Sequence, residues 1–306
     1  MKYRVFIDGG HGTTGLEIHD RLSCRDDIEI LEIEEDLRKD LSARVSRAEK
    51  ADVTLMCLPD AASIELADAL PSGVRVIDTS TAHRVDPSWV YGMPELDPSK
   101  REEIRKADRV ANPGCHATGF ILLARPLVDA GVISGDSALT CFCITGYSGG
   151  GKKMISDYDV MHSEGKTVSP MQYAIGQAHK HLPEMKMMSG LSKEPVFCPV
   201  VGDFYRGMEM TIELPDPAAS LSDIRNIYAE RYAGEMLISV ADPPESGTLY
   251  SDALSGSDRF EITVSGNEDR VILVARFDNL GKGASGAAVQ NLNIMLGIDE
   301  TKGLIC

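Results

Sequence analysis

Tyr3-Arg4-Val5-Phe6-Ile7-Asp8-Gly9-Gly10-His11-Gly12-Thr13-Thr14-Gly15 is the stretch whose reading decides the fold. Residues 3–7 form a short buried-strand pattern, and residues 16–22 carry amphipathic helical spacing. Between them, Gly9, Gly12 and Gly15 make a Gly-x-x-Gly-x-x-Gly turn. Glycines at such a turn let the backbone pass close to a pyrophosphate, which amides at the helix start then bind. A glycine turn alone says little. Its place between the first strand and first helix of an alternating chain makes it a dinucleotide turn, with Gly9, Gly12, Thr13, Thr14 and Gly15 as expected cofactor contacts.

Working outward, strands are expected at 28–33, 53–58 and 75–78, with helices at 41–49 and 61–70. Strands separated by helices imply parallel pairing with right-handed crossovers, hence an α/β, doubly wound sheet. Ligands gather at the C-terminal ends of such strands, which groups the glycine turn with Leu58-Pro59-Asp60 and with Asp78-Thr79-Ser80-Thr81; Ser80 joins the cofactor contacts. Beyond the second strand, Glu34, Glu35 and Asp36 precede Arg38-Lys39. An acidic residue there suits a free ribose 2′-hydroxyl and a basic one such as Arg38 suits a 2′-phosphate, so the stretch itself leaves NAD and NADP both open. A solvated charged loop is the plain alternative.

The 306 residues carry a formal charge of −16. That excludes broad phosphate-backbone binding, so no nucleic-acid partner is expected and any anion must be held locally. No apolar run reaches membrane-spanning length, and Met1-Lys2-Tyr3-Arg4 opens without a signal-peptide core. Cysteines at 24, 57, 115, 141, 143, 198 and 306 include no Cys-x-x-Cys pair. Reduced thiols in a cytoplasm follow as the expectation.

After Asp78 comes a polar, proline-rich connection containing Arg84, whose forked guanidinium suits a carboxylate or phosphate. The chain then reaches Asn112-Pro113-Gly114-Cys115-His116-Ala117-Thr118-Gly119, a turn leading into an apolar helix to about residue 130. A thiol at a helix start has its thiolate stabilised by the helix dipole, and the thiolate attacks carbonyl carbon. Cys115 is read as that nucleophile against the plain alternative of a small core residue. A strand at 138–144 puts Cys141 and Cys143 on one face as structural residues. It leads to Thr145-Gly146-Tyr147-Ser148-Gly149-Gly150-Gly151-Lys152-Lys153, read as a mobile loop closing over an anionic group, with Ser148, Gly149 and Lys152 as substrate contacts. Lys153 stands where a Walker motif needs Ser or Thr.

In His179-Lys180-His181-Leu182-Pro183-Glu184 a metal site would want a third ligand that the spacing does not supply, so no metal is expected. Acid/base work fits better, since imidazole titrates near neutrality and Glu184 can orient one ring. His181 is preferred over His179 because Leu182-Pro183 restricts its backbone. The remainder reads as strands at 195–201, 207–214, 260–265 and 270–277, with helices at 221–232 and 287–296. An α+β second domain with a broad mixed or antiparallel sheet follows, and it offers a face for subunit association. Boundaries fall at 1–112 for the dinucleotide-binding domain and 113–283 for the catalytic and oligomerisation domain, with 284–306 returning as a helix to the first.

With these stretches in place, the chain resembles the N-acetyl-γ-glutamyl-phosphate reductases, in the shorter form of that arginine-biosynthesis family. The resemblance spans nearly the whole chain. It rests on the glycine turn, Asp78-Thr79-Ser80-Thr81-Ala82-His83-Arg84, Asn112-Pro113-Gly114-Cys115, the glycine-lysine stretch, the His179 to Glu184 segment and Lys282-Gly283-Ala284-Ser285-Gly286. It implies a Rossmann domain, a second domain of the type found in aspartate-semialdehyde and glyceraldehyde-phosphate dehydrogenases, NADPH as reductant, an acyl phosphate as substrate, and a homodimer or homotetramer. By position it makes Cys115 the acyl acceptor and puts His179 and His181 in the acid/base segment. The acidic cluster at Glu34 to Asp36 departs from a simple NADP site. The competing readings are another acyl-phosphate reductase, such as aspartate-semialdehyde dehydrogenase, a cysteine hydrolase without nucleotide, and a non-catalytic nucleotide sensor.

Overall fold

In the computed structural model, which describes residues 2–306, the chain divides into two units: Met1–Gly114 with Ala284–Leu304, and Cys115–Gly283 with Ile305–Cys306. The first unit runs β1 (Tyr3–Asp8), α1 (Thr13–Ser23), β2 (Ile28–Leu31), α2 (Leu41–Lys50), β3 (Val53–Met56), α3 (Asp60–Ala69), β4 (Val76–Asp78), β5 (Val90–Tyr91), α4 (Lys100–Lys106) and β6 (Arg109–Ala111). Its sheet has the order β2-β1-β3-β4-β6-β5 and every pair is parallel. Successive side chains on a strand point to opposite faces. Val5, Ile7, Val53, Leu55 and Ile77 accordingly enter one buried cluster, and Phe6, Met56 and Val76 a second. Both faces are covered, which is why these strands read as unbroken apolar runs. Ala288, Val289, Leu292 and Ile294, from the C-terminal helix Gly286–Leu296, complete the first cluster. Arg101 holds the chain beyond that helix with two bonds to Glu300, at 2.8 and 3.0 Å.

The second unit runs α5 (Cys115–Asp129), β7 (Thr140–Gly146), α6 (Gly151–Ser163), β8 (Met171–Gln172), α7 (Leu182–Ser189), β9 (Val196–Gly202), β10 (Met208–Pro215), α8 (Leu221–Arg231), β11 (Ile238–Ala241), β12 (Phe260–Asn267) and β13 (Arg270–Phe277). Its sheet has the order β11-β12-β13-β10-β7-β9-β8 and is mixed, with β7·β9 and β11·β12 parallel and the other pairs antiparallel. Helix α5 lies against β10 and β13. Gly119 sets how close, since a Cβ there would stand 3.0 Å from the Phe277 ring and 3.3 Å from Met210 Cβ. Pro126 sits inside α5 and cannot donate to the Leu122 carbonyl. Tyr232 Oη donates to that carbonyl at 2.7 Å, and Tyr228 Oη donates to the next one, Leu123, at 2.5 Å.

The stretch from Thr145 to Lys153, expected as a mobile loop, is ordered differently. Residues Tyr147–Gly150 form a 3-10 turn and α6 begins at Gly151. Gly151 takes φ +73°, which makes the corner, and Tyr147 stacks on Tyr158 of α6 with centroids 4.3 Å apart. That apolar contact, reaching five residues beyond the end of the glycine-lysine stretch, fixes what composition alone presents as a linker.

Candidate active site

Gly9 follows β1 at φ +82°, and a Cβ there would lie 2.2 Å from the Cys57 carbonyl oxygen. At Gly15 a Cβ would lie 2.7 Å from the Gly9 carbonyl oxygen. Only glycine permits this turn at both ends. The chain leaves β1 for β2 on one side and enters β3 on the other, so the turn sits at the point where strand order reverses, the usual dinucleotide crevice. Helix α1 starts with Gly12 as N-cap, which brings no side-chain cap, and its first turn holds no acidic residue. Thr13 Oγ1 is buried there with no hydrogen-bond partner. Uncapped amides and an orphaned hydroxyl around a close-approach turn fit a pyrophosphate. Thr14 is half-buried beside them.

Sequence reasoning missed Arg44. Its Nε donates to Asp8 Oδ2 at 2.8 Å, with both side chains buried, at the residue just before the glycine turn. Burial pushes the Asp8 carboxyl up from its ordinary value, with the Arg44 bond pulling it back. The one signal was spacing: Leu41, Arg44 and Ala48 share the inward face of α2. Arg38 is partly exposed and lies 3.7 Å from Glu35, while Glu34 faces Arg47 at 3.1 Å.

At the end of β4, Asp78 is fully buried and gathers its neighbours. Ser63 Oγ and Ser80 N donate to Oδ1 at 2.8 and 2.9 Å, while Ser80 Oγ and His83 Nδ1 lie 2.7 and 2.6 Å from Oδ2. The Ser80 hydroxyl is thus committed to Asp78. Arg84 is buried, its Nε donating to the Asn112 carbonyl and its Nη2 to the Thr79 carbonyl, each at 2.9 Å. Asn112 donates from Nδ2 to the Ala284 carbonyl at 3.1 Å and accepts at Oδ1 from Asn291 at 3.0 Å. Arg84 and Asn112 therefore hold the chain that delivers Cys115.

Cys115 is the first residue of α5 and half-buried. His116, beside it in sequence, turns Nδ1 to within 3.4 Å of the Cys115 Sγ and Nε2 to within 3.0 Å of Tyr173 Oη. His181, the N-cap of α7, completes a set in which the cysteine sulfur and one ring nitrogen of each histidine lie within 4.8 Å of one another. His179 is set further back: its ring is 4.8 Å from that of His181, and its Nδ1 accepts the His181 backbone N–H at 3.2 Å. Phe197 walls the cluster, 5.1 Å from the His116 ring. Burial, aided by His179 and Lys180, pushes His116 down to about 3, and burial with Lys180 pushes His179 down to about 4. Both rings are neutral at physiological pH.

Glu184 is buried in the first turn of α7, where a helix start favours a carboxylate. Ser148 is buried, with Oγ accepting from Asn279 Nδ2 at 3.0 Å; Gly149 and Lys152 are exposed. Gly283 passes over the cysteine so closely that a Cβ would stand 2.9 Å from the Cys115 Cβ. His116 and Tyr173 were absent from the sequence-derived set. His116 had a signal, adjacency to the cysteine, but Tyr173 had none, since β8 pairing with β9 is what brings it in.

A parallel dinucleotide sheet followed by a mixed-sheet unit that begins at a cysteine beside buried histidines is the architecture of the semialdehyde dehydrogenase class. Residues 4–107 match the family model "Semialdehyde dehydrogenase, NAD binding domain" and residues 115–279 match "Semialdehyde dehydrogenase, dimerisation domain". In fold, the chain is similar to aspartate semialdehyde dehydrogenase II of Vibrio cholerae (TM-score 0.72, 17% identity, 97% of this chain and 99% of the other). It is likewise similar to the aspartate semialdehyde dehydrogenase of Candida albicans solved with NADP (TM-score 0.70, 15% identity, the same coverage). In sequence it is 44% identical to N-acetyl-gamma-glutamyl-phosphate reductase 2 of Nostoc sp. over 99% of both chains. The identity is also 44% to the N-acetyl-gamma-glutamyl-phosphate reductase of Brucella anthropi, over 97% of this chain and 99% of the other. The chain belongs to the N-acetyl-gamma-glutamyl-phosphate reductase family.

Proposed function

We propose that this protein reduces N-acetyl-γ-glutamyl phosphate to N-acetylglutamate semialdehyde and phosphate, with NADPH as reductant, in arginine biosynthesis. The observation that carries the reading is the Cys115 sulfur at the start of α5, gathered with His116 and His181, in a chain 44% identical to named reductases over its whole length. The Cys115 thiolate attacks the acyl carbon and phosphate leaves, giving a thioester, a better hydride acceptor than a carboxylate. NADPH, held at Gly9 to Gly15, supplies hydride when bound. His181 gives a proton to the oxyanion and takes it back as the thiohemiacetal collapses, the carbon–sulfur bond breaking to free the aldehyde and restore the thiolate. One fact favours His181 over His179: its ring nitrogen lies in the sulfur's set.

The same reading extends to setting and assembly. Among the described residues no disulfide joins the seven cysteines and no helix is long and apolar enough to cross a membrane, in keeping with a cytoplasmic enzyme of a small-molecule substrate. A homodimer or homotetramer is supported by the matched dimerisation-domain model and by Phe142, Val196 and Ile272, partly exposed on one face of the second sheet.

The test is phosphate-dependent NADP reduction with N-acetylglutamate semialdehyde, run beside aspartate semialdehyde. Turnover with the first and little with the second is expected. The reverse preference would reassign the substrate.

A further inference from the structure

The cluster at Cys115 also has the makings of a ligand set. No third ligand is visible around His179-Lys180-His181 in sequence, yet folding brings one from the start of α5. Cys115 Sγ, a His116 ring nitrogen and a His181 ring nitrogen lie within 4.8 Å of one another, and Sγ to His116 Nδ1 is already 3.4 Å. Zinc holds sulfur at about 2.3 Å and imidazole nitrogen at about 2.0–2.1 Å, so tetrahedral donors stand roughly 3.3–3.8 Å apart. The set needs to close by no more than about 1.5 Å to meet that geometry. A second observation points the same way. His116 Nε2 lies 3.0 Å from Tyr173 Oη, the outer partner that orients a metal-ligating histidine and presents its other nitrogen. Both histidines are at least nine-tenths buried, and Phe197 and Tyr173 wall the space.

We propose that Cys115, His116 and His181 form an inhibitory site for a thiophilic divalent cation of the zinc class. The ion binds the cysteine sulfur as thiolate, releasing its proton to solvent, takes one lone pair from each imidazole and leaves a fourth position to water. The sulfur's nucleophilic pair is then withdrawn from acyl transfer. Magnesium and calcium, which want oxygen donors, do not compete. The inhibitory part rests on the reading of Cys115 as nucleophile.

Chelator-treated, reduced enzyme titrated anaerobically with cobalt(II) tests it. One equivalent should give a sulfur-to-cobalt charge-transfer band, displaced by zinc and untouched by magnesium. The band should vanish in Cys115→Ser, and Tyr173→Phe should weaken cobalt binding about 10- to 100-fold. Should Cys115→Ser not fold, as judged by NADPH binding, His116→Gln keeps the sulfur and should still weaken the metal. Zinc should stop turnover at the occupancy the titration reports, and a chelator should restore it. No band, or a band unchanged in these variants, overturns the site and leaves the nucleophile reading standing. A band that needs Cys115, with full turnover in zinc-loaded enzyme, overturns the inhibitory role and the nucleophile reading together.

Discussion

Cys115 stands between a glycine that can pass over it and a ring that burial holds neutral near pH 7. Replacing its sulfur by a hydroxyl removes the thiolate and little else. Cys115→Ser is therefore expected to abolish turnover while NADPH binding, measured by fluorescence titration, stays near its original strength; residual turnover of more than a few per cent, roughly what a lost covalent nucleophile leaves, would remove the cysteine from the reaction. For the proton, His181→Asn should depress turnover about 10²- to 10⁴-fold and erase one limb of the pH profile, while His179→Asn should act on substrate affinity. A large turnover loss in His179→Asn alone would exchange the roles. His116 carries a pH dependence of stability. Its unfolded imidazole takes a proton near 6.5, whereas the folded ring waits until about 3. Between those values the unfolded chain binds more protons, so this contribution is complete above the window and is lost as pH falls through it. Urea unfolding should lose up to about 1.4 kcal/mol per pH unit there, and His116→Leu should flatten that limb; an unchanged slope would mean that another group sets it. Cys115, His179 and His181 stand out as candidates from local sequence because each sits in a short stretch of chemically distinctive neighbours. Tyr173 was not, since nothing near it in sequence says that a strand pairing will swing its hydroxyl onto a histidine.

Elements with strong periodicity were legible: β1, α2, α5 and β13 fall within a residue or so of where apolar spacing puts them. Those made by context were not. Strands β5 and β6 are two and three residues long, too short for any period to register; β6 exists because β4 offers a parallel edge, and β5 because β6 offers the next one. The glycine-lysine stretch failed for the opposite reason, its composition pointing to a linker while Tyr147 and Tyr158 lock it. Helix α5 shows how an element survives a residue that opposes it. With Pro126 unable to donate to Leu122, the Tyr232 hydroxyl stands in. Tyr232→Phe should leave that carbonyl unserved and cost about 1–3 kcal/mol in chemical denaturation, with little change in activity at moderate temperature. Unfolding at the same denaturant concentration as the parent would show that the hydroxyl is dispensable.

For the molecule as a whole, the β7·β10 register puts Phe142 outward where Cys141 and Cys143 turn in, and Ile272 of β13 is on the same outward face. An apolar face of this kind next to water is what a second copy would cover. Phe142→Asp should shift sedimentation towards a smaller species, while a single species of unchanged mass would direct the search for the interface elsewhere. The plan of the fold, alternating strands and helices and then a β-rich half, was readable because it rests on hydrophobic period; how copies would associate was not, because it depends on which face of a sheet is left open. One further trait of the plan concerns the ribosome. The first unit's core lacks Ala288, Val289 and Leu292 until the second unit has been made as far as Gly283. Synthesised at about 5–20 residues per second, the N-terminal half-core waits on the order of ten seconds or more with that face uncovered, while all but the last two residues of the second unit have already left the tunnel. The second unit is thus placed to fold first, and strand β1 is sealed only after it.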